Sequence, residues 1–168
     1  MTITTSIRHK SSPESEEMIT SFVTSHPQGA LTSTAKDGTL QSSVVNVFET
    51  GDSQFSFMTK KDTRKSANIH NNPIVSFITY DPVSRTEVEI EGVAMLVVDP
   101  GEVREVLKKI RSDSDLGRPH ISPYVNEFDD YVLYTIYPRN IYMTTFWELE
   151  KTIEVFREFI EFDMKMSS

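Results

Sequence analysis

Residues 55–73 read Phe55-Ser56-Phe57-Met58-Thr59-Lys60-Lys61-Asp62-Thr63-Arg64-Lys65-Ser66-Ala67-Asn68-Ile69-His70-Asn71-Asn72-Pro73. Phe55 to Thr59 is short and apolar, with two aromatic residues, which favours a strand. Lys60 to Asp62 is polar and turns the chain. Thr63-Arg64-Lys65 then opens a helix over 63–71. It stops before Asn72-Pro73, because a residue preceding proline is pushed out of the α region. A strand that runs through a basic turn into a helix gathers a hydroxyl, a helix N-terminus and two adjacent cations in one small volume. Free N–H groups and the macrodipole draw anions to a helix start, and arginine adds planar, bidentate hydrogen bonds. Without an anion, Arg64 and Lys65 would oppose the dipole. The chemistry therefore points to a phosphorylated ligand.

On the N-terminal side, Pro13 suits a first helical position, and Met18, Phe22 and Val23 fall at helical spacing. They predict a helix over 13–25, ended by His26-Pro27-Gln28-Gly29. Residues 30–36 and 40–48 read as strands around Asp37-Gly38, a strong hairpin signal. Thr50-Gly51-Asp52 marks another turn, which makes 55–59 the third strand of a meander. On the C-terminal side, 74–80 and 86–98 are strands joined at Asp81-Pro82-Val83-Ser84. Val88, Ile90 and Gly92 alternate with Glu87, Glu89 and Glu91, so the glutamates form a solvated strand face. Val93 to Val98 is apolar on both sides, which implies a second covering surface.

Asp99 and Pro100 start a helix to Arg111, and 111–130 reads as a polar loop containing Arg118, His120 and Tyr124. Residues 131–137 and 140–146 are strands around Pro138-Arg139. Leu149, Ile153, Phe156 and Ile160 lie at helical spacing and predict a closing helix over 147–164. Residues 1–12 read as a flexible tail. Short antiparallel strands with helices at the rim make a small barrel, a single domain over 1–168.

The chain has 168 residues, 38% hydrophobic and 25% charged, enough for one real core. No apolar run approaches the ~20 residues of a membrane span. The start lacks the apolar core of a secretory signal, so the cytoplasm is the expected location and no membrane partner is expected. With no cysteine, disulfides, thiolate catalysis and Cys-ligated metals are excluded. A net charge of -8 repels phosphodiester backbones, so no nucleic-acid partner is expected, yet it permits one small anion site. His9, His26, His70 and His120 show no metal-ligand spacing, and no nucleophile elbow is present. No metal site and no catalytic acid or base stands out.

One set of segments runs in order along the chain: 29–34, Asp37-Gly38, 43–47, 57–59, Thr63-Arg64-Lys65, Asn68, 71–76 and 88–92. In that order it resembles the FMN-binding split-barrel proteins, the pyridoxamine 5'-phosphate oxidase-like superfamily. The resemblance is good over 15–110 and looser beyond. It implies a mainly β fold, a six- or seven-stranded antiparallel split barrel with peripheral helices. It also implies FMN as cofactor and a homodimer with FMN at the interface. By resemblance, Ser43, Val44, Val45 and Asn46 lay their backbone along the flavin ring. Met58 and Thr59 end the neighbouring strand, and Thr59, Arg64 and Lys65 grip the phosphate. Trp147 echoes an aromatic residue near the flavin.

Glu87 stands where the family usually has glutamine, a departure that sets a carboxylate toward an electron-rich reduced flavin. The basic pair and Arg-rich C-terminal strand with which the oxidase proper binds its phosphorylated substrate are missing. Ser42-Ser43 and Val47 occupy the first place, and the chain ends Glu-Phe-Asp-Met-Lys-Met-Ser-Ser. The implied activity is FMN-dependent oxidation or reduction of another small molecule. Flavin storage or sensing without catalysis, and haem or the deazaflavin F420 in the same barrel, are the alternatives.

Overall fold

The computed structural model describes residues 2–9, 13–115, 130–149 and 152–161. In chain order the elements are β1 (Thr2–His9), α1 (Pro13–Ser25), β2 (Gln28–Thr34), β3 (Leu40–Asn46), β4 (Phe48–Gly51) and β5 (Gln54–Lys60). Then follow α2 (Arg64–Asn71), β6 (Ile74–Asp81), β7 (Thr86–Leu96), α3 (Pro100–Asp115), β8 (Tyr131–Leu149) and β9 (Thr152–Glu161). The sheet order is β1-β9-β8-β7-β6-β2-β3, with β5 paired to β8 and β4 to β5. β2 to β8 make the antiparallel split barrel with peripheral helices that the sequence leads one to expect.

Alternation builds the core. Every second residue of a strand points inward, and Leu31, Phe55, Phe57, Phe77, Val88, Ile90, Ile136 and Ile141 are fully buried. On α1, Ile19 and Val23 lie one turn apart and close this core. A second, smaller cluster lies on the outward side of β4, β5 and β8. There Val103, Val106 and Leu107 of α3 cover Phe48, Met58 and Leu133. α3 starts where the sequence places it, with the Asp99 carboxylate accepting a hydrogen bond from the Glu102 N–H at 2.8 Å.

β8 is one strand, where the sequence suggests two. Pro138 cannot donate to the ladder, and the sheet absorbs it as a bulge. Glu91 opposes Asn140 and Gly92 opposes Pro138, which leaves Arg139 as the extra residue. Before the bulge β8 pairs with β5 and β7, and after it with β7 and β9. The barrel splits there.

Four expectations need correction. β5 does not continue a meander from β3; it pairs with β8 and leaves β3 at the sheet edge. The described part of the expected closing helix over 147–164 is strand. β8 continues to Leu149, and β9 returns along it from Thr152 to Glu161. Thr152, Ile153, Val155 and Ile160 are β-branched and suit a strand, and the half of β8 beyond the bulge offers an open edge that must be paired. The N-terminal stretch is not a loose tail, since Thr2–His9, dense in Thr and Ile, pairs parallel to β9. α3 runs past Arg111 to Asp115. Arg118, His120 and Tyr124 lie outside the described residues. Among the described residues no helix is long and apolar enough to cross a membrane.

Two glycines permit close strand packing. A Cβ at Gly29 would meet the Ile78 carbonyl and the Phe77 ring, and one at Gly92 would meet the Tyr137 carbonyl at the bulge. Gly29→Ala and Gly92→Ala should each cost about 1–3 kcal/mol, which lowers Tm by roughly 3–10 °C. Gly38→Ala, at a turn with open space around its Cα, should act only through its positive φ. Thermal melts of the three variants check the ranking.

Candidate functional site

Thr63 is the N-cap of α2, with φ -81 and ψ 152. Its hydroxyl donates to the Lys60 carbonyl at 3.0 Å and accepts from the Ser66 N–H at 3.2 Å. That hydroxyl is therefore spent on shaping the turn. The Thr59 hydroxyl, on a buried residue, lies 3.2 Å from it and can turn its proton elsewhere. The N–H groups of Arg64 and Lys65 fall at the first two helical positions, where no intrahelical acceptor exists. The strand end, the turn and the helix start thus combine one hydroxyl, two N–H groups and two cationic side chains.

The two cations differ. Arg64 is exposed, whereas Lys65 is half-buried beside the barrel with its ammonium 6.0 Å from the centre of the Phe57 ring. Among the described residues neither has an ion-pair partner. Burial holds the Lys65 ammonium below the ordinary lysine range, since desolvation disfavours the charged form. This donor set fits an anion, and fits a phosphate group well in particular.

Polar ties hold α2 in place. The Ser66 hydroxyl bonds the Tyr134 hydroxyl at 3.0 Å, and Tyr134 stacks on Phe57 with centroids 5.6 Å apart. About half a turn on, the Asn68 amide donates to Ser33 at 3.2 Å and to the Gln41 side chain at 3.1 Å. The sequence reading of the site passes over Phe57, Ser66 and Tyr134. The available signal was that Ile69 is the only large apolar residue of a short, otherwise polar helix, which must then dock through hydrogen bonds.

The remaining candidates separate into groups. Ser43 and Val45 share the inward face of β3 with Gln41. Val45 is buried, while Val44 points outward and is exposed. β3 approaches β5 across the seam of the barrel, and its outer edge has no strand partner among the described residues. Asn46 ends that strand, half-buried. The bond between Gln41 and Asn68 brings this strand beside α2. The Met58 side chain instead packs under α3, so only its backbone faces the same strand end as Thr59.

Glu87 lies far away in the same chain. Thr59 pairs with Val132 of β8, whereas Glu87 pairs with Thr144, twelve residues further along. Twelve residues of extended strand span about 40 Å. Trp147 stands three positions beyond, opposite Glu154, and its side chain lies outside what is described. Glu89 accepts a hydrogen bond from Ser76 and Glu91 one from Asn140, which supports their reading as a strand face. Among the described residues no cluster of His, Asp and Glu could hold a metal ion.

The fold has relatives. The family model of pyridoxamine 5'-phosphate oxidase matches residues 15–144, and the chain belongs to that family of split-barrel proteins. Among solved structures it is similar to the General Stress Protein 26 of Bacillus anthracis, with 25% identity and a TM-score of 0.60 over 77% of this chain and 93% of that one. It is also similar to a pyridoxamine 5'-phosphate oxidase-related, FMN-binding protein of Nostoc punctiforme, with 11% identity and a TM-score of 0.54 over 92% of this chain and all of that one. A haem-binding protein of Mycobacterium smegmatis matches with 14% identity and a TM-score of 0.61, over 87% of this chain but 59% of its own length. No curated protein matches the sequence.

The buried lysine has a measurable consequence. Its folded pKa lies below its unfolded value, so between the two the unfolded chain binds more protons and stability rises with pH. Below the folded pKa the full desolvation penalty is present. Urea titrations of the ligand-free protein across the alkaline range should show this rise, and Lys65→Met should flatten it and raise stability at neutral pH.

Proposed function

We propose that this chain binds FMN and acts as an FMN-dependent oxidoreductase on a small molecule. The observation that carries the reading is the pair of cations in the first turn of α2, without an ion-pair partner among the described residues, one of them half-buried. A protein gains nothing for stability from such an arrangement, and it becomes favourable once a phosphate fills it. The family membership and an FMN-binding relative of the same fold agree with this choice of ligand.

On this reading Thr59, Arg64 and Lys65 hold the phosphate, with the N–H groups at the helix start. The open edge of β3, from Ser43 through Val44 and Val45 to Asn46, offers its backbone to the flavin ring. When bound, the flavin supplies the electron-transfer chemistry. The chain's own contribution is to bind, orient and shield it. The basic groups that would anchor a second phosphate are absent at Ser42, Ser43 and Val47, so pyridoxamine 5'-phosphate is not the substrate we propose.

Glu87 and Trp147 join this site only if two copies do. In one chain they lie at the far end of β8 from Thr59. Val44, Ile78 and Tyr80 expose 68%, 37% and 52% of their surface on the outward face that Glu87 shares. An apolar face of this kind marks an interface. A homodimer that buries it about a two-fold axis would carry Glu87 and Trp147 toward the partner's groove.

Five measurements test the proposal. FMN should bind more tightly than riboflavin, since each charge-assisted contact contributes roughly 1.5–3 kcal/mol, or about 10- to 150-fold. Arg64→Ala should lower FMN affinity by about tenfold or more and leave apo-protein stability nearly unchanged. Sedimentation should find a dimer at micromolar concentration, and a stable monomer that holds FMN stoichiometrically would contradict the shared site. The absorption spectrum of the purified protein between 300 and 600 nm separates a flavin from haem, from F420 and from an empty barrel. Turnover with NADH or NADPH and an electron acceptor separates catalysis from storage or sensing.

A further inference from the structure

We infer that Tyr134 is a positioning residue for the phosphate cradle, an inference that rests on the proposed FMN reading. Tyr134 sits on β8, outside the segment that carries the cations, and is 5% exposed. It reaches the first turn of α2 by two routes. Its hydroxyl lies 3.0 Å from that of Ser66, itself 7% exposed. Its ring stacks on Phe57, over which the Lys65 ammonium lies at 6.0 Å. Ser66 follows Lys65 directly, and its N–H closes the cap on Thr63. One buried side chain thus ties down the residue beside Lys65 and backs the ring beneath it.

The need for such a tie follows from the charges. An ammonium without a counter-ion in a half-buried place is repelled by the helix dipole and favoured by water. A helix start carrying that group would relax outward unless something on the barrel side held it. The apolar docking of α2 is slight, with Ile69 as its buried anchor. The Asn68 bonds to Ser33 and Gln41 secure the other side of the helix, toward β2 and β3. Ser66–Tyr134 is the matching tie toward β8. Both hydroxyls are buried, so the bond fixes direction as well as contact. Tyr134 itself does not reach the cradle; it acts through Ser66 and Phe57.

The test uses Tyr134→Phe and Ser66→Ala, which keep the ring and the helix and remove one hydroxyl each. In both variants FMN affinity should fall between about threefold and about tenfold, the worth of one buried hydrogen bond, while riboflavin affinity changes less than about twofold. The double variant should lose no more than either single one, because both delete the same bond. In the ligand-free protein, amide exchange at Ser66 and Ala67, whose N–H groups bond to Thr63, should speed up by a similar factor. Equal losses for FMN and riboflavin, additive losses in the double variant, or unchanged exchange would each overturn the inference. Wild-type discrimination between the flavins that survives intact in Tyr134→Phe overturns the positioning role alone. Equal wild-type affinities for the two flavins would overturn the phosphate reading, and this inference with it.

Discussion

Two cations at the positive end of a helix dipole are the constraint on which the site depends. Arg64 and Lys65 occupy the first turn of α2, where the helix itself favours negative charge. The fold compensates by geometry. Thr63 caps the helix, Ser66 and Asn68 lash it to strands on either side, and Phe57 offers Lys65 an aromatic face. Each contact fixes position and none neutralises charge. A site that leaves this much positive charge unanswered is prepared for an anion, at some cost to the stability of the empty protein.

The barrel supplies the setting. β5 carries Thr59 to the end of the sheet and delivers the chain into α2, and its pairing with β8 fixes where that end falls. β3 ends the sheet with its backbone edge unpaired by any described strand. An exposed edge invites pairing with other chains. Beside an anion site, it can instead offer backbone groups to a flat, polar ring. The long β8 links the end of β5 to the distant part of the sheet where Glu87 and Trp147 lie. Distance along that strand is the physical reason for thinking in terms of two chains.

Much of this was legible in the residues. The hairpin at Asp37-Gly38, the alternation of Val88, Ile90 and Gly92 against three glutamates, and the start of α3 at Asp99-Pro100 are local signals, and local physics decided them. The turn that sets Thr59 beside Thr63 and starts α2 at Arg64 was legible for the same reason, since these residues are close in sequence. The misses are non-local. Whether 152–161 becomes helix or strand depends on the open edge of β8, which no window of sequence displays. Pro138 reads as a break until a bulge opposite Gly92 absorbs it. Tyr134 meets Ser66 across 68 residues, so that contact could be found only from the fold.

The most direct test of the phosphate cradle is a crystal structure of the protein with FMN. The account predicts phosphate oxygens about 2.7–3.2 Å from the Thr59 hydroxyl, the Arg64 guanidinium and the Lys65 ammonium, with the α2 start unmoved. A flavin whose phosphate lies in solvent or on another element, with Arg64 and Lys65 still without a counter-ion, would contradict it.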